Sequence, residues 1–321
     1  MGTSIGEIRR FGRYLNAHGY SHHTVRNYCS DIETFARYLA NERIIRLTHD
    51  TGSDKDEVEI GDKSLAGLKA AHVSGYVADR FYSGDSKKTI QRRLAAVRTF
   101  LRFLCRGGKL KHNPAELVTG PKPEKKLPVF LTVDEALALV EAIGANRGFF
   151  ALRDKAILEL LYTCGIRVSE LCGLSLFDID LRARQVRILG KGGKERLVPI
   201  GKAAATALRN YLEFRQKPDG FYKGLKDPKE KALFLNRDGA RLSTRSVNNL
   251  VHKYMELSGS SKIISPHKLR HTCATHLYDA GMDLRHLQEL LGHKNISTTS
   301  IYTHTNIERL KKVYKKSHPR S

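Results

Sequence analysis

Tryptophan is absent from the 321 residues, so any stacking against a ligand must use Tyr, Phe or Arg. Cysteine is sparse. Cys29, Cys105, Cys164, Cys172 and Cys273 are odd in number and scattered, with no C-x-x-C pair. That argues against a disulfide framework and a cysteine zinc site, and it fits a reducing cytoplasm. No run of 18 or more apolar residues occurs, and the N-terminus lacks an apolar signal-peptide core. A P-loop is missing as well, and so is H-E-x-x-H. Acidic residues are in deficit: 33 Asp plus Glu stand against 56 Lys plus Arg, a net charge of +23. Such a balance selects a polyanionic partner, nucleic acid first and acidic membrane second.

The length predicts two domains, each able to bury its own core. Residues 1–118 read as a small helical bundle. Ser4-Ile5-Gly6-Glu7 forms a capping-box pattern before a helix to about Ala17, and Ser21 can cap a second helix to about Ala40. A third helix spans about Leu68 to Tyr82. Asp85 or Ser86 caps a fourth, with Ile90, Leu94, Val97, Leu101 and Leu104 on one stripe. The basic residues Lys87, Lys88, Arg92 and Arg93 lie on its other faces and are candidate DNA contacts. The acidic stretch from residue 50 to 62 is expected to be a solvated loop held away from an anionic partner. Residues 119–130 are rich in proline and lysine and read as an extended linker.

Residues 131–321 form the second domain. Thr132 opens it with a capping box, and helices are expected to about Gly144 and from Gly148 to Cys164. Gly165 then ends a helix, and Ser169 or a neighbour starts another, which leaves Arg167 in the corner. Short strands are expected at Phe177–Leu181, Gln185–Leu189, Arg196–Ile200 and Leu233–Leu235. The glycine-rich turn Gly190-Lys191-Gly192-Gly193-Lys194 closes a hairpin between the second and third of these.

The segment from Ser265 to Tyr302 concentrates the chemistry. Pro266 marks a helix start, and His267 and Arg270 share one face of that helix. Gly281 breaks it. Asp283 caps a helix over Leu284–Leu291, and Gly292 stops it, so His293 sits just past a helix end. Ser297 or Thr298 can cap a third short helix carrying Tyr302. An arginine fork matches phosphate oxygens, and a phenol is a nucleophile once activated. Taken singly, each residue has a plainer explanation, since a lone Tyr is usually core and a lone His is usually a hydrogen-bonded structural residue. Their order and spacing together point to a phosphodiester.

These segments resemble the tyrosine recombinase (phage integrase) family, most closely the Xer recombinases. The likeness is carried by Tyr162 through Leu171, Gly190 through Arg196, His267-Lys268-Leu269-Arg270-His271, Leu290-Leu291-Gly292-His293, Ile301-Tyr302-Thr303-His304 and the tail Val313–Arg320. The acidic stretch at 50–62 departs from it and looks like an insertion. The resemblance implies a mostly α fold: an N-terminal four-helix, SAM-like core-binding domain, then an α-rich catalytic domain with a small antiparallel β-sheet, the two forming a C-shaped DNA clamp. It implies Tyr302 as nucleophile, Arg167 and Arg270 on the non-bridging oxygens, His267 and His293 on the phosphate, and Lys191 as proton donor. Lys194, in the same turn, is the alternative donor. Lys194, Arg245 and Lys268 join the candidate DNA contacts.

No metal and no cofactor is implied, because two arginines supply the positive charge. Implied partners are double-stranded DNA with a specific site and a homotetramer, or a heterotetramer with a second Xer recombinase. An FtsK-type DNA translocase is a further implied partner. The chain would act in the cytoplasm with the nucleoid, without membrane insertion. Its task would be the resolution of chromosome or plasmid dimers at a dif-like site, with integration or excision of a mobile element as the alternative. From about Asn306 the tail would dock into a neighbouring protomer, or else pack on its own domain. Three rivals remain in the residues. A zinc hydrolase could use His267, His271, His276, His286 and His293, although Arg270 on the same face would repel a cation. A non-catalytic DNA-binding regulator fits the charge equally well. A type IB topoisomerase shares the chemistry but religates the same strand.

Overall fold

The computed structural model describes residues 6–45, 47–49, 58–60, 67–124, 129–144, 149–190, 193–215, 231–292, 310–311, 313–315 and 317–320. It divides into two compact units, Met1–Lys126 and Leu127–Ser321.

In the first unit, four helices follow the apolar periodicity: α1 (Glu7–Ala17), α2 (His22–Asn41), α3 (Ala70–Tyr82) and α4 (Lys87–Arg106). Their starts are local chemistry. Ser21 accepts a hydrogen bond from the Thr24 N–H, and Ser86 accepts one from Thr89, each satisfying a donor that the helix leaves open. The first helix begins at Glu7 with Gly6 at its cap and no side-chain cap bond there, and Ser4, the other half of the expected box, lies outside the described residues. Glu7 pairs with Arg10 and with Lys109. Phe11, Leu15, Ile32, Phe35, Leu39, Val97, Phe100 and Leu101 are wholly buried, and each adds on the order of 2 kcal/mol. Between α2 and α3, part of the expected acidic loop is strand. There β1 (Leu47–His49) and β2 (Val58–Ile60) pair antiparallel, with Thr48 opposite Glu59. The cause is the alternation at Val58-Glu59-Ile60, which two-residue periodicity favours over a solvated run of charges.

The second unit opens with α5 (Val133–Glu141), where Thr132 and Glu135 cap each other as expected. The core is built around α6 (Phe149–Cys164), which is buried on nearly every side from Ala156 to Cys164. After it come α7 (Val168–Gly173) and a single 3-10 turn at Leu176–Asp178. The strands are β3 (Ile179–Asp180), β4 (Gln185–Leu189) and β5 (Glu195–Pro199), in one antiparallel sheet ordered β3-β4-β5. The strand expected from Phe177 is shorter because the Asp178 carboxylate accepts the Ser175 N–H and closes the 3-10 turn first. The return strand begins one residue earlier than expected, at Glu195. Leu233–Leu235 is not a strand: Ala232 and Leu235 each make one isolated bridge, to Ser175 and Arg241.

Helices α8 (Lys202–Arg215), α9 (Thr244–Leu257), α10 (Pro266–Asp279) and α11 (Leu284–Leu291) complete the unit. Among the described residues, no helix is long and apolar enough to cross a membrane. The described part of the C-terminal tail packs on its own unit. Leu310 and Tyr314 join its core, and Arg320 holds the buried Glu159 through two bonds, at 3.0 and 2.5 Å.

Candidate active site

Two left-handed glycines shape the site. Gly165 (φ 56°) turns the chain out of α6, and Gly292 (φ 67°) ends α11. A Cβ on Gly165 would lie 2.9 Å from Leu291 and 3.1 Å from Cys273, so only glycine allows α10 and α11 to close over that turn. Arg167 follows as the N-cap residue of α7. Its backbone N–H donates to Glu170 at 2.9 Å, the half of a capping box that an acidic N3 residue supplies. Ser265 caps α10 and Pro266 fills its first turn, which places Arg270 one turn further in, facing Gly165.

The guanidinium groups converge there. Arg270 is buried and donates to the Gly165 carbonyl at 2.7 Å and to the Leu291 carbonyl at 2.5 Å. Arg167, more exposed, donates to Glu170 at 2.7 Å and to the Gly292 carbonyl at 3.3 Å. A third arginine, Arg196 on β5, grips both oxygens of Glu170, at 3.0 and 2.8 Å. Arg270 lies 3.9 Å from the same carboxylate. One carboxylate thus answers three guanidiniums. Burial would raise the Glu170 carboxyl, but the hydrogen bonds and charge of Arg196, joined by Arg167, hold it down at about 2. Burial, and then the charges of Arg167 and Arg196, lower Arg270 to about 10, which still leaves it protonated at neutral pH. The cluster carries an uncompensated positive charge beside an exposed edge of Arg167. That is the electrostatics of an anion-binding site.

His267 lies exposed on α10, one turn from Arg270. Lys191, His293 and Tyr302 lie outside the described residues. The strands that carry the Lys191 turn are in place, and Gly190 N–H donates to the Lys194 carbonyl at 2.7 Å across it. The candidate DNA contacts separate by environment. Lys88, Lys194 and Arg245 are exposed. Lys87 pairs with Glu124 at 2.7 Å, and Lys268 donates to the Ile263 carbonyl at 2.7 Å. Arg92 and Arg93 both pair with the buried Asp31, and Arg93 also pairs with Asp85 at 3.0 Å, so much of their charge is already answered. His276, one of the imidazoles a zinc site would need, is buried and bonded at both nitrogens, to Tyr162 and to the Leu131 carbonyl. Among the described residues, no three His, Cys, Asp or Glu gather to hold a metal ion.

Sequence reasoning missed Glu170 and Arg196 as parts of the site. A signal for each was present. Glu170 stands three residues after a helix start, and Arg196 shares the inward face of β5 with Val198, where a charge needs a partner.

The profile of the Phage integrase family matches residues 129–309, and that of the Phage integrase N-terminal SAM-like domain matches residues 8–54 and 56–108. A protein named tyrosine recombinase XerC from Thermodesulfovibrio yellowstonii is 43% identical over 303 residues, covering 94% of this chain and 92% of that protein. One of the same name from Pelobacter propionicus is 40% identical over 322 residues, covering 100% and 98%. Among solved structures, a lambda integrase dimer bound to a COC′ core site aligns with a TM-score of 0.64 at 19% identity, covering 90% of this chain and 94% of that one. The shared fold, the near full-length identity and the family match agree, and the chain belongs to the phage integrase family as a site-specific tyrosine recombinase.

Proposed function

We propose that the chain cleaves and rejoins DNA strands through a 3′-phosphotyrosyl intermediate. Tyr302 Oη forms a bond to the scissile phosphorus, and its proton passes to His267 or His293. The P–O5′ bond breaks, and the 5′ oxygen keeps the electron pair and takes a proton from Lys191 Nζ. An ammonium suits that step because it can give up a proton, whereas a guanidinium effectively cannot. Arg167 and Arg270 stabilise the charge that builds on the non-bridging oxygens. The observation that carries this reading is the convergence of Arg167 and Arg270 beside a single carboxylate, with positive charge left over.

Exposed Lys88, Lys194 and Arg245 would contact DNA phosphates, with residues 1–118 binding the core site and residues 131–321 doing the chemistry. Two DNA sites held by four protomers, alike or of two Xer kinds, would exchange strands through a Holliday junction. The tail would then exchange between protomers instead of packing on its own unit. Extensive identity to proteins named XerC supports resolution of chromosome or plasmid dimers at a dif-like site as the task, in the nucleoid and with a translocase such as FtsK.

The test is covalent trapping on nicked duplexes bearing candidate sites, in EDTA and without ATP. A denaturant-resistant protein–DNA band that Tyr302→Phe abolishes is expected. A band that persists in Tyr302→Phe, or that forms only with added metal, would overturn the reading.

A further inference from the structure

We propose that Arg196 is a positioning residue. It ties the hairpin that carries Lys191 to the corner that carries Arg167, and so holds the proton donor in register with the phosphate-binding arginines. The proposal rests on the roles assigned above to Lys191 and Arg167.

Arg196 is the second residue of β5, paired across the sheet with Ile188 and only two residues beyond Lys194. Its side chain is 6% exposed, so it cannot lie along a DNA backbone as a phosphate ligand. Its guanidinium reaches three places at once. Nη1 and Nη2 take both oxygens of Glu170, and Nε donates to the Leu290 carbonyl at 3.0 Å. It also presses on Gly292, where an added Cβ would lie 3.0 to 3.2 Å from Nη1, Cζ and Nε. One planar group therefore joins β5, α7 and the end of α11. Each of those elements leads directly to an assigned residue: Lys191, Arg167 and His293.

The other ties in the site do not reach the hairpin. Arg167 is anchored by Glu170 and the Gly292 carbonyl, and Arg270 by the Gly165 and Leu291 carbonyls. Among the described residues, the side-chain hydrogen bonds that join the hairpin to α7 and α11 are all made by Arg196. Removing it leaves Glu170 two donors from Arg167 and leaves both phosphate-binding arginines anchored. What is lost is the hairpin's register. Among the described residues, no other side-chain hydrogen bond ties β4 or β5 to α7 or α11 to restore that register.

The test is single-turnover cleavage of a nicked duplex in two forms. One carries an ordinary scissile phosphodiester, and the other has sulfur in place of the bridging 5′ oxygen. A thiolate leaves without being protonated, so the sulfur substrate bypasses the proton donor. On the oxygen substrate, Lys191→Ala should lose about 100-fold or more. Arg196→Gln and Arg196→Lys should lose on the order of 10- to 100-fold, with DNA affinity unchanged. Sulfur should restore all three variants and should not restore Arg167→Ala. Rescue of Lys191→Ala without rescue of the Arg196 variants overturns this inference alone. Failure to rescue Lys191→Ala overturns the assignment of Lys191 as proton donor, and this inference with it. If Arg196→Gln does not fold, Arg196→Lys carries the test. It keeps the charge but cannot span both Glu170 oxygens and the Leu290 carbonyl, and full activity on oxygen would overturn the proposal.

Discussion

Tyr162 and His276 share a hydrogen bond between α6 and α10, the phenol oxygen 2.9 Å from Nδ1 and the rings nearly perpendicular at 88°. Nε2 of the same imidazole is 2.9 Å from the Leu131 carbonyl, which can only accept. Nε2 therefore carries the hydrogen and Nδ1 accepts from the phenol. Burial pulls His276 down, so it is neutral in the fold, and burial pushes the Tyr162 phenol far up. This phenol sits close in sequence to Arg167, but it is a strut and not a nucleophile. Tyr162→Phe should leave Nδ1 without its donor and lose about 1–2 kcal/mol in urea unfolding. It should still form the covalent DNA adduct that Tyr302→Phe is expected to lose. Loss of the adduct in a folded Tyr162→Phe protein would refute that division of roles.

Glu170 gives the catalytic unit an acid-labile element. Its carboxyl is held at about 2, below its ordinary 4.5. A carboxyl depressed in the fold stabilises above its unfolded value and loses that contribution as pH falls through the folded one. The window is thus from about pH 5 down to about 2, and the full contribution is roughly 3 kcal/mol. Glu170→Gln should be less stable than wild type at pH 7 by roughly that amount. The gap should close as the pH approaches 2 in a series of urea titrations. A gap that stays constant with pH would show that the carboxylate charge is not what holds the three arginines.

Much of this geometry was legible in the sequence because it is local. Ser21, Ser86, Thr132 and Asp283 cap helices within three residues of themselves, Pro266 opens α10, and Gly165 and Gly292 mark left-handed turns. The corner at Arg167 follows from the same short-range logic. The union of Glu170 with Arg196 was not legible, because the pair is 26 residues apart and joins a helix to a strand. The β1–β2 pair escaped notice for a different reason: three-residue strands give too little alternation to stand out against flanking charges. Arg92 and Arg93 read as DNA contacts by charge alone, and only the fold brings Asp31 from α2 beneath them.

That last pairing separates binding from folding on one helix. Lys88 is exposed, while the Arg93 side chain is 18% exposed and is shared between Asp31 and Asp85. Lys88→Ala should weaken DNA binding across sequences and reduce the salt slope of log K by about 1. Arg93→Ala should leave the slope unchanged and lower the melting temperature of the first unit, because it strips a partner from a buried carboxylate. Salt-dependent fluorescence anisotropy and thermal melting of both variants check this. Equal slopes for Lys88→Ala and wild type would remove Lys88 from the interface.

The cis-packed tail should respond to both sterics and acid. Gly201 has no room for a side chain: an added Cβ would lie 2.3 Å from the Arg320 carbonyl oxygen and 3.3 Å from the Tyr314 hydroxyl. Tyr314 in turn donates to the Thr163 carbonyl at 3.1 Å and stacks on His318 at 5.1 Å. Gly201→Ala should therefore lift the tail off its unit and expose it to protease, while α8, whose backbone it leaves untouched, stays folded. Acid should do the same to the wild type. Burial first, and then the nearby guanidinium of Arg320, lower His318 to about 4 from its ordinary 6.5. A buried imidazole with a depressed value stabilises above 6.5 and loses that contribution as pH falls towards 4, because the released tail binds a proton that the docked one refuses. Proteolysis of the wild-type tail should rise across that window and be nearly independent of pH in Gly201→Ala, where the tail is already free. A wild-type tail equally resistant at pH 7 and pH 4 would mean that His318 does not control its docking.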